Sequence, residues 1–590
     1  MKLYRVVSLS LVVMAVVLGA LSASWAQDAT GRIYGTVYDQ QSAVIPQVEI
    51  TVTNTATQNV RTATTDNDGS FQLLALPIGN YKVTAKHAGF RVVTSTEQKL
   101  LINQALRIDF KMEVGTENET IDVGAEAAPV ETINPTLGQS ITGRVITNMP
   151  LNGRDMLDLA LLQPGVTESN DDNAGAGNYS IAGGRTDSVT FLLDGGNNND
   201  LLSNGNVLDP NPDAIAEFRL LTSDYTAEYG RNGGGIISIV TKSGTNQFHG
   251  GVFEYIRNRD FDANDYFNNR LGLPRLDLKR NQFGGTLGGP IRKDKAFFFL
   301  AYQGQRQVQA IPDVDVPVYT PQELNGDFSN ASTGGSPDQG VVAFLNANPY
   351  FAASTNGGAR NAQINPANFD PVAKNYIAAG LIPTTPSGLY SASLPAVDNR
   401  NELTLKFDLD LNPKDKLSAT LGFNRTNGIF PLAFATVAGY GSQSVANYYF
   451  VNLGYTRIFS PTMVNEFHFV THRSNYLSDI TQGHQPTGAE LGVTGVTPDL
   501  VTGPTNIYMD NGFDIGPSEN GPTRYIENTF SWTEAFTWTQ GKHNWKFGAG
   551  FSPYQENLVY GYYLNGELDF YTGTSTGSGN DFADLCGSGS

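Results

Sequence analysis

Hydrophobic and polar residues alternate with a period of two along most of this chain. Ile33, Gly35 and Val37, then Val48, Ile50 and Val52, are interleaved with Tyr34, Thr36, Glu49, Thr51 and Thr53. Such alternation marks half-buried strands. Turn chemistry separates the runs at Ile45-Pro46, Asp66-Asn67-Asp68-Gly69, Leu76-Pro77-Ile78-Gly79 and Ala88-Gly89-Phe90. Residues 27–112 are therefore expected to form a small β-sandwich. The Asp66–Gly69 turn superficially resembles a calcium loop. Its sixth position would be Phe71 rather than Gly and its twelfth Pro77 rather than Glu, so it reads as a plain turn.

Residues 113–135 form a polar connector with one β-prone run, Thr120-Ile121-Asp122-Val123. Residues 136–245 mix periods. Met156 to Leu162 carry a helical pattern stopped by Pro164-Gly165, and short strands follow at Val189–Leu193 and Ile236–Val240, with many glycine turns between. This segment is expected to be a compact α+β unit. From residue 246 the alternation dominates, giving nine or ten amphipathic strands. Leu403, Leu405, Phe407, Leu409 and Leu411 oppose Thr404, Lys406, Asp408 and Asp410. A turn at Asn412-Pro413-Lys414-Asp415 leads to Leu417, Ala419, Leu421 and Phe423. Phe530, Trp532, Phe536 and Trp538 turn at Gln540-Gly541-Lys542 into Trp545, Phe547, Ala549 and Phe551.

Alternation alone does not say which face meets water. Two features favour lipid: aromatics gather near strand ends, and connections alternate between four-residue turns and long stretches such as that between Gln305 and Arg400. Transmembrane barrels have this plan, with ~10-residue alternating strands, short periplasmic turns and long outer loops. The expected fold class is thus mainly β: an N-terminal β-sandwich, an α+β unit and an antiparallel transmembrane β-barrel.

Composition narrows the functions. Charged residues are only 16%, while Gly reaches 63 and the net charge is −19. So acidic a balance excludes a protein that coats nucleic acid. The lone Cys586 excludes an intrachain disulfide and a cysteine-based zinc site. Lys2 and Arg5, the apolar run Val6–Leu21 and Ser24-Trp25-Ala26 describe a secretory signal peptide over 1–26. Catalytic signatures are weak. Gly573–Gly577 matches Gly-x-Ser-x-Gly, but in a Thr/Ser/Gly-rich tract with no following His. His468 and His472 lie four apart on a strand-like run, where that spacing does not make a metal pair. No enzyme activity, metal or cofactor is expected.

The motifs together resemble TonB-dependent outer-membrane receptors of the Oar-like kind, with a carboxypeptidase-regulatory-like module ahead of the plug. The resemblance rests on Gly31–Val37, Thr65–Phe71 and Leu76–Tyr81 in the first module. In the second it rests on Met149-Pro150-Leu151-Asn152-Gly153-Arg154, Ala182-Gly183-Gly184-Arg185, Phe191-Leu192-Leu193-Asp194-Gly195, Glu228-Tyr229-Gly230-Arg231 and Ile239–Asn246. It implies a plug over 136–245 inside a barrel of ~22 strands, of which 246–590 would be the N-terminal part. It also implies a place in the Gram-negative outer membrane among its lipids, a small ligand (siderophore, oligosaccharide or peptide), and a TonB–ExbB–ExbD energy-coupling complex. That complex captures an extended segment ahead of the plug by strand addition. Glu119-Thr120-Ile121-Asp122-Val123 fits this TonB box in position and chemistry.

The sequence departs from the family pattern in strand number and in its ending, Leu585-Cys586-Gly587-Ser588-Gly589-Ser590. An open sheet in hydrocarbon would expose unpaired backbone groups at several kcal/mol each. A truncated or partial chain is the expectation that follows. A cell-surface carbohydrate-binding or adhesion protein built on the sandwich is the rival reading, weakened because residues 31–112 contain no Trp for sugar stacking. A secreted hydrolase is disfavoured by the missing catalytic constellation.

Overall fold

The computed structural model describes residues 30–115, 120–123, 137–168, 179–200, 204–230, 232–328, 364–432, 434–480, 485–496, 503–509, 512–517, 522–541, 543–561 and 564–570. The signal-peptide segment, Glu119, Arg231 and the Gly573–Gly577 tract lie outside these residues.

The first unit is a sandwich. Its strands are β1 (Thr30–Tyr38), β2 (Glu49–Asn54), β3 (Val60–Thr64), β4 (Ser70–Pro77), β5 (Gly79–Lys86), β6 (Val92–Ser95), β7 (Gln98–Leu100), β8 (Ala105–Arg107) and β9 (Phe110–Lys111). One sheet runs β4-β1-β8 with β9 also on β1; the other runs β6-β5-β2-β3, with β7 on β5. The alternating residues named above, Ile33, Val37, Val48, Ile50 and Val52, are fully buried between the sheets with Leu73, Val83 and Leu106. Asp66 closes its turn by accepting hydrogen bonds from the Asp68 and Ser70 amides and the Ser70 hydroxyl, as an ordinary turn residue does. β10 (Thr120–Val123) extends the second sheet, pairing in parallel with β6 from Thr120↔Val92 to Val123↔Ser95.

Next comes the plug, built on β11 (Leu137–Thr142), β12 (Val166–Glu168), β13 (Tyr179–Ile181), β14 (Thr190–Leu193), β15 (Gly196–Asn197), β16 (Ile215–Ser223) and β17 (Ile236–Thr241). Its main sheet has the order β11-β16-β17-β14-β15. The central strands β14 and β17 are buried on both faces, which is why they read as unbroken apolar runs. The helical pattern at Met156–Leu162 forms a 3-10 turn over Leu157–Leu162. Asp155 accepts from the Leu157 amide, the Leu159 amide bonds to the Met156 carbonyl, and Pro164 allows no continuation.

The wall is a single antiparallel sheet. It comprises β18 (His249–Asn258), β19 (Leu278–Arg292), β20 (Ala296–Pro317), β21 (Leu389–Asn412), β22 (Asp415–Phe430), β23 (Ser442–Ser460) and β24 (Met463–Ile480). After β25 (Asn506–Met509), which lies in an outer loop, follow β26 (Thr523–Gln540), β27 (His543–Phe551) and β28 (Tyr554–Tyr560). β27 and β28 both pair with β26, along Gln540–Trp532 and Thr529–Thr523, and so form one strand interrupted at Ser552-Pro553. Its alternation is inverted relative to a water-soluble protein. Glu402, Thr404 and Lys406 are buried, while Phe407, Leu409, Leu453, Trp532 and Phe547 are exposed. Apolar residues line the outer surface and polar ones the interior, the arrangement of a wall with lipid outside.

The connection expected between Gln305 and Arg400 is shorter than its sequence suggests. β20 and β21 pair as far as Pro317↔Leu389, over 22 and 24 residues. At ~3.3 Å per residue such strands far exceed a ~30 Å hydrocarbon layer. Backbone pairing continues past the apolar band through Gln305, Gln307 and Gln309, whose polar side chains hide the strand from a pattern search. Beyond it the outer loops share a core of Tyr376, Tyr440, Leu491, Phe513 and Ile515. At the opposite end the turns are tight; Asn412 accepts from the Lys414 and Asp415 amides and fixes one of them.

Candidate functional site: the plug–wall interface

Two plug turns make most of the polar contacts with the inner face of the wall, and a third, at Glu228, pairs with Lys546 on β27. The deeper one follows β14. Asp194 (φ 49°) and Gly195 (φ 78°) both adopt left-handed backbone, reversing the chain into β15. Gly196 then passes so close to the wall that a Cβ would lie 2.7 Å from Val470 Cγ2.

The reversal aims the Asp194 carboxylate into a buried cluster of donors. Oδ1 accepts from Lys406 Nζ on β21 (2.8 Å) and from the Thr241 amide (2.9 Å). Oδ2 accepts from the hydroxyls of Thr241 (2.6 Å) and of Thr420 on β22 (2.7 Å). Lys406 also donates to the Thr241 carbonyl. Burial alone would raise the Asp194 carboxyl, but the adjacent ammonium and the hydrogen bonds outweigh it and hold it below the ordinary carboxylate value. Asn452 on β23 donates to the carbonyls of Leu193 (3.2 Å) and Asp194 (2.9 Å). Its Nδ2 being the donor, Oδ1 accepts, which assigns the proton to Nδ1 of His468 on β24, 3.0 Å away. One plug turn is thus bound by four consecutive wall strands.

The second contact is Asn152-Gly153-Arg154. Arg154 Nε donates to Gln303 Oε1 on β20 (2.9 Å), its NH2 pairs with Asp213 of the plug, and its guanidinium lies 4.5 Å from the ring centres of both Phe253 and Tyr255 on β18. Gln282 on β19 donates to the Gly153 carbonyl (2.7 Å), and Asn152 Oδ1 accepts from Arg257 and Arg280. Leu208, on the loop after Asn198, fills the space over Gly422, where a Cβ would sit 2.0 Å from Leu208 Cδ2. Asp209 beside it is only partly covered, yet desolvation by the surrounding protein and the neighbouring Asp155 charge push its carboxyl up to about 7.

The residues singled out in the sequence therefore separate. Asn152, Gly153, Arg154 and Asp194 all reach the wall, and Gly195 completes the turn that aims Asp194 at it. Gly183 and Gly184 form the turn after β13, and Arg185 projects outward to pair with Asp187. Thr120–Val123 lie on the sandwich sheet, away from both contacts. Sequence reasoning missed Lys406, Thr420 and Asn452 as plug partners. It also missed the asparagine run, where Asn198 clamps the Leu208 amide and carbonyl and Asn199 accepts from the Phe191 amide. That run was the available signal, since consecutive amides suit a loop whose backbone needs side-chain partners.

A strand wall with an apolar exterior, its polar inner face holding a folded plug by polar side chains, is the arrangement of the plugged outer-membrane barrels, although among the described residues the sheet stays open, ending at β18 and at β27/β28. Comparison with known proteins agrees. The model of the outer membrane beta barrel domain matches residues 240–587, that of the TonB-dependent receptor plug domain 135–236, and that of the carboxypeptidase regulatory-like domain 32–113. The chain belongs to the outer-membrane β-barrel family, and its plug and N-terminal modules match those of TonB-dependent receptors. The relatives it resembles are named as transporters and receptors. The TonB-dependent transporter Oar of Myxococcus xanthus is 29% identical over 320 residues, 51% of this chain and 29% of that protein. Among solved structures, the outer membrane transporter YddB of Escherichia coli is 11% identical with a TM-score of 0.44, covering 71% of this chain and 48% of that one. The siderophore receptor PirA of Acinetobacter baumannii is 14% identical with a TM-score of 0.35, covering 73% and 59%. The chain thus spans less than two thirds of the length of each of these relatives.

Proposed function

We propose that this chain takes part in energised uptake of a small ligand across the outer membrane, a siderophore, oligosaccharide or peptide, driven by the TonB–ExbB–ExbD complex. Residues 1–26 direct export, and Glu119–Val123 is the segment the energy-coupling protein captures. The observation that carries this reading is the buried Asp194 cluster. It fastens a compact plug inside the wall by hydrogen bonds and one ion pair, contacts that water can replace when the plug is pulled. Thr120–Val123 is already extended and is one of the two edge strands of its sheet among the described residues, which suits capture by strand addition. Replacing Ile121 with Pro removes a backbone donor from that strand. Cross-linking to the energy-coupling protein is expected to fall sharply in Ile121→Pro; undiminished cross-linking would remove the assignment.

A further inference from the structure

The sandwich does not hang free of the plug. Its Leu101–Gln104 turn inserts against β16. The Ile102 amide donates to Glu217 Oε2 (2.9 Å), Arg219 donates to the Ile102 carbonyl, and Asn103 Nδ2 donates to the Tyr229 hydroxyl (2.5 Å). Asn103 has left-handed backbone (φ 54°), which turns its amide toward the plug. Lys99 adds a bond to Thr142 Oγ1 of β11 (2.7 Å). Glu217 is fully buried and Arg219 nearly so, an unusual outlay of charge for a plug strand, and part of their hydrogen bonding comes from another domain.

The same domain also touches the wall at its short-turn end, the periplasmic side by the loop rule. Asn59 donates to Asp410 (2.8 Å), Asn246 donates to the carbonyls of Ala56 and Thr57, and Leu74 and Ala75 pack on Ile458 and Val464. Apart from that four-residue apolar cluster, these contacts are polar. Interfaces that separate reversibly are of this kind, whereas permanent ones resemble a hydrophobic core.

Load from the connector would reach this latch. β11 is the first plug element after residues 124–136 and the edge strand of the plug sheet, and it pairs with β16 at Thr142↔Glu217 and Ser140↔Arg219. The strand pulled first is therefore hydrogen-bonded to the strand that holds the sandwich.

We propose that the N-terminal sandwich is a releasable stopper, docked beneath the plug as a separate cooperative unit by its Ile102–Asn103 turn, and that it undocks before the plug moves. The inference deepens the transporter reading, but its test involves no uptake and can fail independently of it. In the full chain carrying Cys586→Ser, spin labels at Lys111→Cys and Lys414→Cys report the sandwich–wall distance, and a label on the exposed Arg185→Cys reports plug order. Urea is expected to broaden the first distance at concentrations that leave the plug label unchanged. Asn103→Gly keeps the backbone freedom and deletes the amide, and Glu217→Gln keeps the shape and deletes the charge. Each should weaken docking by about 10-fold, the effect of a hydrogen bond to a buried or charged partner, and lower the undocking midpoint more than the plug midpoint. Coincident transitions in the wild-type chain, or an undocking midpoint unmoved by either variant, would overturn the proposal.

Discussion

Lys406→Met is the sharpest perturbation of the plug–wall interface. It removes the ammonium 2.8 Å from Asp194 Oδ1 and leaves a buried carboxylate with only neutral hydrogen-bond donors. Breaking one side of a buried ion pair costs about 3–5 kcal/mol, because the remaining charge is uncompensated. Lys406 belongs to the wall and Asp194 to the plug, so the loss falls on their attachment and not on either unit's own core. With a urea dependence of roughly 1–3 kcal/mol per molar for a unit of this size, the plug-release midpoint should drop by about 2 M. The measurement is urea titration of detergent-solubilised protein with a spin label on the plug, while resistance of the wall to heat-induced mobility change on gels serves as control. The double variant Asp194→Asn/Lys406→Met removes both charges and should recover most of the loss, since neutral replacement of a buried pair is often tolerated. Equal midpoints for the wild type and Lys406→Met, or a double variant as weak as the single one, would refute the reasoning. Acid adds a sign. The folded Asp194 carboxyl titrates below its ordinary value of 3.8, so its contribution is complete above that value and is lost as pH falls through the folded pKa.

Gly422→Ala places a methyl 2.0 Å from Leu208 Cδ2 in a packed contact. The plug-release midpoint should fall by the equivalent of about 1–3 kcal/mol, with the wall's gel mobility unchanged. Asp209, raised to about 7, should give a protonated-carboxyl infrared band that disappears near neutral pH and is missing from Asp209→Asn. Arg154→Lys keeps the charge but loses the fork shared by Gln303 and Asp213 and the planar contact with Phe253 and Tyr255. It should cost about 1–3 kcal/mol of plug attachment in the same titration.

Much of this fold was legible because period-two patterning places side chains on faces. Ile33, Val37, Ile50 and Val52 were read as one sandwich face, and they are buried together. Leu403 to Leu411 were read as one wall face; the alternation is the same whichever side meets water, and it was the aromatic strand ends and alternating loop lengths that put lipid on the apolar side. The structure bears this out, with Glu402 and Lys406 buried and Phe407 and Leu409 exposed. The site was half legible. Asp194-Gly195 and Asn152-Gly153-Arg154 stood out as motifs that carry the family resemblance. Their partners did not, because Lys406 is 212 residues from Asp194 and looks like any polar residue on an alternating strand. Pairing across such a separation follows from packing a wall against a plug, which no local pattern encodes.

The central claim is that β21 to β24, β26 and β27 face acyl chains outside and the plug inside. Trp532 and Trp545 lie on the outer face, 40% and 48% exposed. In vesicles of phospholipid brominated along the acyl chain, their fluorescence and that of Trp538, which pairs with Trp545 on the same face, should be strongly quenched, and Trp532→Phe/Trp538→Phe/Trp545→Phe should remove most of the quenching. Unquenched tryptophans in a chain that stays monodisperse without detergent would contradict the account.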